Sequence, residues 1–505
     1  MKNQSRVIAL IFCAAFSRNV LGYFTLSQND AAPMFTTLFP YGFLNENFKE
    51  IEKEGTPDQF EERMRLTLTP YTQGASRARN IEKSNVYAGD IYGRWNMLGL
   101  TYGAVPHNET LPAVLQNALN VGAYQDGQPL DYEPYTDTDH NLGFFSVPLK
   151  YQKTGLRYRM EIKLISDLVF IFQGGVANIK QDTGLSKGKI QQYDAENLNS
   201  PEIIMRGPFV DLAREIQRSA GTVVTNTAGN PASVVQFADY YGTAAPPGVG
   251  TTPAPDIATV ERLIMQPYQT IFNEMGLDVS NFNATGAEDL YLGLVWRHNF
   301  YLNTHNGKEW PPFIITPFVR VAGIIGIGKE KDQSDAFSLP FGNNGHHCVA
   351  FNGGMSLDFY ETIEVCWEAG SNHFFQREIP GMFIPTSELQ SGIYPFKTNV
   401  SVNPGKTMYF TFSLNAYHFI EKLSFYAEYL FASHSEDKIS LLQPDPAFKP
   451  EKLEDLSAWK TQLANIAFNY SLAPHVTVGI LWQAPLSRRT AYSTNTVAIS
   501  LAGTF

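Results

Sequence analysis

Three things are scarce in this 505-residue chain, and each scarcity excludes something. Charged residues make up only 17% of it, against about 25% in ordinary soluble domains. There are three cysteines. Cys13 lies in the N-terminal segment, and the remaining Cys348 and Cys366 cannot staple a chain this long, which excludes a disulfide scaffold. Past the first twenty residues, no stretch approaches the ~18 consecutive apolar residues of a membrane helix. Catalytic signatures are missing as well. There is no Gly-x-Ser-x-Gly, no His-Glu-x-x-His and no phosphate-binding glycine loop, so no catalytic residue, cofactor or metal site is assigned. What the chain has in excess is aromatic side chains, 13% of the total, with 35 Phe and 25 Tyr, at a mean hydropathy of −0.19.

The N-terminus reads as a secretory signal over 1–22. Lys2 and Arg6 precede the ten-residue apolar core "VIALIFCAAF", which is too short to span a bilayer, and Val20 and Gly22 offer small residues before a cut. Phe12 before Cys13 argues against lipidation. Removing Lys2, Arg6 and Arg18 leaves 35 basic against 49 acidic side chains, a net charge of −14. That balance argues against nucleic acid as a partner. Residues 23–60 are expected to form an N-terminal periplasmic or plug segment, and 61–505 the main body.

In the body, the dominant pattern is alternation. "GLRYRMEIKLI" (155–165) sets Leu156, Tyr158, Met160, Ile162 and Leu164 against Arg157, Arg159, Glu161 and Lys163. "TMYFTFSLNAY" (407–417) sets Met408, Phe410, Phe412 and Leu414 against Thr407, Tyr409, Thr411, Ser413 and Asn415. The same period of two recurs at 361–370, 422–433, 462–472, 475–483 and 494–505, and it signals strands with one apolar face. Each segment runs to about 10–12 residues, where globular strands average ~5–6. About 9–11 residues is what a tilted strand needs to cross a bilayer.

Connection lengths test that reading independently. With Phe505 on the periplasmic side, the turns near Pro474, at 419–421, at 359–361 and at Ser166-Asp167 are tight. The connections at about 434–460, 375–405, 328–346 and 181–288 are long and would be external, as in outer-membrane barrels. Adding 63–71, 92–103 and 144–152 gives about fourteen strands. Twelve is the alternative, with 144–165 as one strand bulged near Lys153–Gly155 and the first strand not spanning. The fourteen-strand version makes 104–141 a long periplasmic connection. The insert at 181–287 carries helical spacing at 200–220 and 256–276 around a low-complexity stretch, and is expected outside or folded into the lumen. His346-His347 is expected to be a solvent-facing loop pair. A disulfide is not expected, because a hairpin turning near 359–360 sets Cys348 opposite about residue 371.

The signal segment, the repeated two-faced strands and the final "VAISLAGTF" together resemble the outer-membrane β-barrel proteins of Gram-negative bacteria. No specific family is matched, and the Asn-Pro-Ala signature of the fatty-acid channel family is missing near the N-terminus. The resemblance implies an all-β, antiparallel up-and-down transmembrane barrel in the bacterial outer membrane, in contact with its lipid. It also implies that Val497, Ile499, Leu501 and Phe505 form the assembly signal read by the barrel assembly machinery. The expected function is a porin-like channel for passive diffusion of ions or small polar solutes. A surface adhesin or receptor, and an outer-membrane lipid-directed enzyme, are the alternatives. The expected pore-lining residues are Arg63, Arg65, Arg157, Arg159, Glu161, Lys163, Arg297, Arg320, Asp358, Glu364, Glu368 and Glu428. Bases fall in the early strands and acids in the later ones, an arrangement that would set a field across a wet lumen. The oligomeric state is left open.

Overall fold

The computed structural model describes residues 63–93, 95–96, 100, 105–107, 109, 112–113, 144–145, 147–165, 167–183, 272–302, 313–359, 362–388, 390–420, 422–473 and 475–505. The signal segment, residues 23–60 and the bulk of the 181–287 insert lie outside them.

Twelve antiparallel strand positions close into a ring. They are β1 (Met64–Ala75), β2 (Lys150–Ile165), β3 (Leu168–Asp182), β4 (Leu290–Arg297), β5 (Phe313–Ile325) and β6 (Cys348–Phe359), followed by β7 (Ile363–Phe374), β8 (Thr407–Ile420), β9 (Leu423–His434), β10 (Trp459–Ala473), β11 (Val476–Arg489) and β12 (Asn495–Thr504). Each pairs with its neighbours in sequence, and β12 pairs back to β1, from Arg65 opposite Thr504 to Gly74 opposite Asn495. Closure leaves no free edge in the ring, which a sheet spanning hydrocarbon requires because an unpaired backbone amide has no water to turn to. The β4 position is segmented. Phe282–Ala287 pairs with β3 ahead of it, and Phe300–Leu302 pairs with β5 beyond it.

The alternation sorts the side chains as the period of two dictates. On β8, Met408, Phe410, Phe412 and Leu414 are exposed on the outside, while Thr407, Tyr409, Thr411, Ser413 and Asn415 are buried inside. On β12 the outward row is Val497, Ile499, Leu501 and the terminal Phe505. Such rows repeat around the ring. In water they would make an apolar belt far beyond the few hundred Å² that soluble surfaces tolerate. In lipid each Leu or Phe instead gains about 1.5–3 kcal/mol from leaving water. A closed barrel with an apolar outside and a polar inside is the architecture of a bacterial outer-membrane β-barrel.

The count is twelve, not fourteen, and the physical reason is specific. Among the described residues, the segments 92–103 and 144–149 pair with one another as the two-residue ladder Trp95–Asn96 with Phe144–Phe145, away from the ring. The spanning strand runs unbroken from Lys150 to Ile165, with no register shift at Lys153–Gly155. The first strand, Met64–Ala75, does span. Dropping two strands also removes the anomalous long periplasmic connection, since 76–149 now leaves from the same end as every other long loop. The connections 76–149, 183–281, 326–347, 375–406, 435–458 and 490–494 share one end; 166–167, 303–312, 360–362, 421–422 and 474–475 share the other. The hairpin register sets Cys348 opposite Phe374 and Cys366 opposite Ser356, three residues from the sequence expectation, and both thiols are free.

Candidate functional site

The inside of the barrel is a wall of polar side chains organised into local networks. The largest centres on a carboxylate absent from the sequence expectation. Glu288 sits where the Phe282–Ala287 segment ends and β4 begins. It accepts from Tyr71 Oη at 2.8 Å, Arg157 Nε at 2.6 Å and Arg157 Nη2 at 2.9 Å, and pairs with Lys153 Nζ at 2.6 Å. Arg157 also lies over the Tyr71 ring at 4.4 Å, a cation–π contact. The facing Gly175 makes room, because a Cβ there would come within 2.6 Å of Glu288 Oε2. The sequence signal was "GAEDL": two adjacent acids cannot both follow strand alternation, so one must break it. The neighbour, Asp289, turns to the loops and accepts from the backbone N–H groups of Gly328 and Asn343 at 2.9 and 2.5 Å. One interruption in the strand therefore ties the lumen wall to the long connection 326–347.

A second network joins Arg320, which donates to Glu368 at 3.0 and 3.1 Å, to Tyr409, whose hydroxyl reaches Glu368 at 2.7 Å. Arg159 donates to Glu161 at 2.9 Å. Tyr417 and Tyr426 donate to Glu364 and Glu428 respectively. Of the twelve residues expected at the pore wall, Arg65, Arg157, Arg159, Glu161, Arg320, Asp358, Glu364, Glu368 and Glu428 are buried within the barrel. Lys163 and Arg297 are half-buried near the end of the barrel that carries the short turns, and Arg63 is exposed there. Bases and acids keep their segregated strands, but Arg157, Arg159 and Arg320 each carry a carboxylate at hydrogen-bond distance. Pairing of this kind weakens the transverse field that free wall charges would set.

The long connections do not splay into solvent. Trp95, from the loop after β1, stacks on Phe337, from the loop after β5, at 5.4 Å and 11°. Gly392, in the loop after β7, holds φ +74° and presses so close to Trp95 that a Cβ would overlap the ring. His107 N–H donates to Asp445 in the loop after β9 at 2.7 Å. The loops after β1 and β7 spring from opposite sides of the ring, and those after β5 and β9 each lie a third of the way round from β1, so these contacts reach over the mouth. A three-stranded sheet (Arg377–Ile384, Phe396–Asn403, Lys438–Leu441) and the apolar cluster of Phe337, Phe341, Ile384 and Val400 give this cap its own core. Within it lies a cavity of about 150 Å³.

Of the histidine pair expected to face solvent, His346 is buried and His347 is half-buried. His346 is fully buried with Nδ1 2.8 Å from the Phe375 carbonyl, and His347 Nδ1 accepts from Gly326 N–H at 3.0 Å. Burial lowers the His347 pKa, with Arg377 adding to the effect. Cap folding also assembles a trio that sequence spacing does not announce. Thr407 Oγ1 lies 2.8 Å from His434 Nδ1, and His434 Nε2 lies 2.8 Å from Asp437 Oδ1. The order is that of a nucleophile, base and orienting acid. Thr407 is only 1% exposed, however, and Trp459 stacks on the imidazole at 5.7 Å, so no substrate reaches the hydroxyl. The trio seals the top of β8 to β9. Among the described residues, no cluster of His, Cys, Asp and Glu could hold a metal ion.

No protein-family model matches the chain, and no curated protein matches it. Among solved structures it is similar to the COG4313 outer membrane channel from Pseudomonas putida F1, at 8% identity and a TM-score of 0.41, covering 90% of this chain and 99% of that one. It is also similar to the CymD monoaromatic hydrocarbon channel, at 10% identity and a TM-score of 0.29, covering 97% and 99%. The translocator domain of the autotransporter NalP from Neisseria meningitidis follows at 7% and 0.30, covering 91% and 93%. At such scores the likeness does not extend to a solute or a mechanism.

Proposed function

We propose that the chain is an outer-membrane channel for passive diffusion of small polar solutes, gated by its external cap. The observation that carries this reading is the polar lining of the closed ring. Thr67, Thr411, Ser413, Asn415, Asn469, Thr477 and Ser500 face inward from five strands, β1, β8, β10, β11 and β12. The side-chain amides of Asn415 and Asn469 find no hydrogen-bond partner among the described residues. A buried amide left unmet costs about 1–3 kcal/mol, so water or a passing solute is their natural partner. The twelve charges expected at the wall and rim are then the groups that a solute passes. Their pairing favours polar solutes over strongly charged ones, because an ion meets little net field. The cap makes passage conditional: loops must part before solute enters.

Liposome swelling with sugars and amino acids of graded size tests this directly, alongside planar-bilayer conductance. The expected result is slow, size-limited permeation that rises when the 375–406 loop is shortened. Permeation no faster than in protein-free vesicles, both before and after shortening, would reject the channel.

A further inference from the structure

The cavity in the cap has a chemistry of its own. Its wall is largely apolar, with Trp95 and Phe337 on one side and Leu277, Met382 and Ile393 on the others. About 150 Å³ is the size of an engineered apolar cavity that accepts benzene, so one six-membered ring fits and a long acyl chain does not. The Trp95 indole N–H is already spent on the Gly89 carbonyl at 3.0 Å, which leaves the ring as hydrocarbon surface.

Gln333, Ser338 and the hydroxyls of Tyr92, Tyr394 and Tyr492 also line it, and two further polar groups, Gln181 and Lys331, carry hydrogen-bonding capacity toward it. Gln181, at the external end of β3 and only 2% exposed, donates its amide N–H to the Phe337 carbonyl at 2.6 Å. Its Oε1 has no partner among the described residues. Lys331 Nζ donates to the carbonyls of Asp335 and Ser338, both at 3.2 Å. An ammonium has three donors, so one remains. Gln181 and Lys331 thus offer the pocket a buried acceptor and a cationic donor beside its aromatic rings.

We infer that this cavity is a binding site for a small aromatic molecule bearing a hydroxyl or carboxyl group, of the phenol or benzoate class. The ring fills the volume between Trp95, Phe337 and Met382. A carboxylate or phenolic oxygen accepts from Lys331, and a hydroxyl donates to Gln181 Oε1. The inference rests on the channel reading only for its physiological meaning, since it names the solute the cap would admit; binding itself requires no permeation.

Lys331 gives the site a pH signature. Burial lowers its pKa to about 8, against the opposing pull of Asp335 and then Asp332 on the same loop. The titratable groups facing the cavity from other loops are Tyr92, Tyr394 and Tyr492, and burial raises the last two well above the usual phenol range. Between pH 7 and 9.5 the ammonium is therefore the group that changes charge.

The test is calorimetric titration of the full-length, detergent-folded protein with benzoate, p-cresol and toluene. All three are expected to bind saturably with one site. Lys331→Met should weaken benzoate by about tenfold or more and toluene little, as removal of a charged hydrogen bond requires. Gln181→Leu should weaken p-cresol by about fivefold and benzoate little. Raising the pH from 7 to 9.5 should weaken benzoate and leave toluene unchanged. Ala336→Phe, which fills the cavity from its rim, should abolish all three. Retained heat-modifiable migration shows that each variant still folds. Absence of saturable binding, or binding unaffected by Ala336→Phe, overturns the site. Saturable binding without liposome permeation would leave the site standing and remove the channel; permeation without binding would do the reverse.

Discussion

The barrel wall and the external cap are built from the same chain by different rules. In the wall every strand is held by the one before and after it, and the interior is polar because the outside must be greasy. In the cap the partners are far apart in sequence, the core is apolar, and short ladders of two to eight residues replace strands of eight to sixteen. The wall is fixed by backbone hydrogen bonds that have no alternative in lipid. The cap is held by side-chain packing next to water, which can open locally at much lower cost. That contrast is what the proposed gated passage would need: a rigid conduit under a cover able to come away without unfolding it.

The contrast can be broken or sharpened by substitution. The largest effect is expected at Glu288, which holds Tyr71, Lys153 and Arg157 at once. Removing the carboxylate in Glu288→Ala should cost about 3–5 kcal/mol, seen in equilibrium unfolding as loss of the whole barrel in one transition. Next comes the lipid face. Phe412→Arg, near the middle of β8 and 46% exposed, should cost about 2–4 kcal/mol in a bilayer. The inward neighbour Thr411→Arg should not follow that depth rule, and equal losses would mean the two faces are not distinct. A smaller and local effect is expected for Trp95→Ala. Hydrogen exchange should quicken in 326–347 and 390–403, solute permeation should rise, and the barrel strands should keep their protection. Loss of barrel protection would show that the two regions unfold as one.

The smallest effect is a pH dependence of the cap. The folded pKa of Lys331 is lowered to about 8, below its ordinary 10.5, by burial. The unfolded loop then binds more protons between those values, so cap stability rises as the pH climbs from 8 toward 10.5 and is lower below 8. Exchange in 326–347, corrected for intrinsic rate, should slow across that window. In Lys331→Met it should not change.

How much of this was legible in the sequence follows the same division. Period-two rows such as Met408 to Leu414 and Leu156 to Leu164 identified faces correctly, because in lipid the side-chain rule has no competitor. The alternation in 92–103 and 144–152 misled for the opposite reason. There Trp95 and Phe337 pack in a loop core where any apolar residue serves, and the pattern has no bearing on a bilayer. The clue available was the apolar content of external loops, "FSLPF" at 337–341 and "GMFIP" at 381–385, unusual for segments that would otherwise meet water. The pore-wall charges were placed by alternation alone, but their pairing was not. Arg320 meets Glu368 from two strands away around the ring, and Glu288 meets Arg157 and Lys153 across β3. Sequence spacing gives the face of a residue and not the reach of its side chain. His346 is buried although it lies in a long loop, because the cap has a core of its own.

The most direct test is a nitroxide scan along Met408–Tyr417 and across 337–345 in the same lipid-reconstituted protein, read by oxygen and nickel-chelate accessibility. The expected result is strong oxygen contact at 408, 410, 412 and 414, alternating with low oxygen contact between them, and no such period across the loop. Nickel access along both faces of 408–417, with no oxygen maximum, would mean that these side chains never meet hydrocarbon, and the barrel as described would not exist.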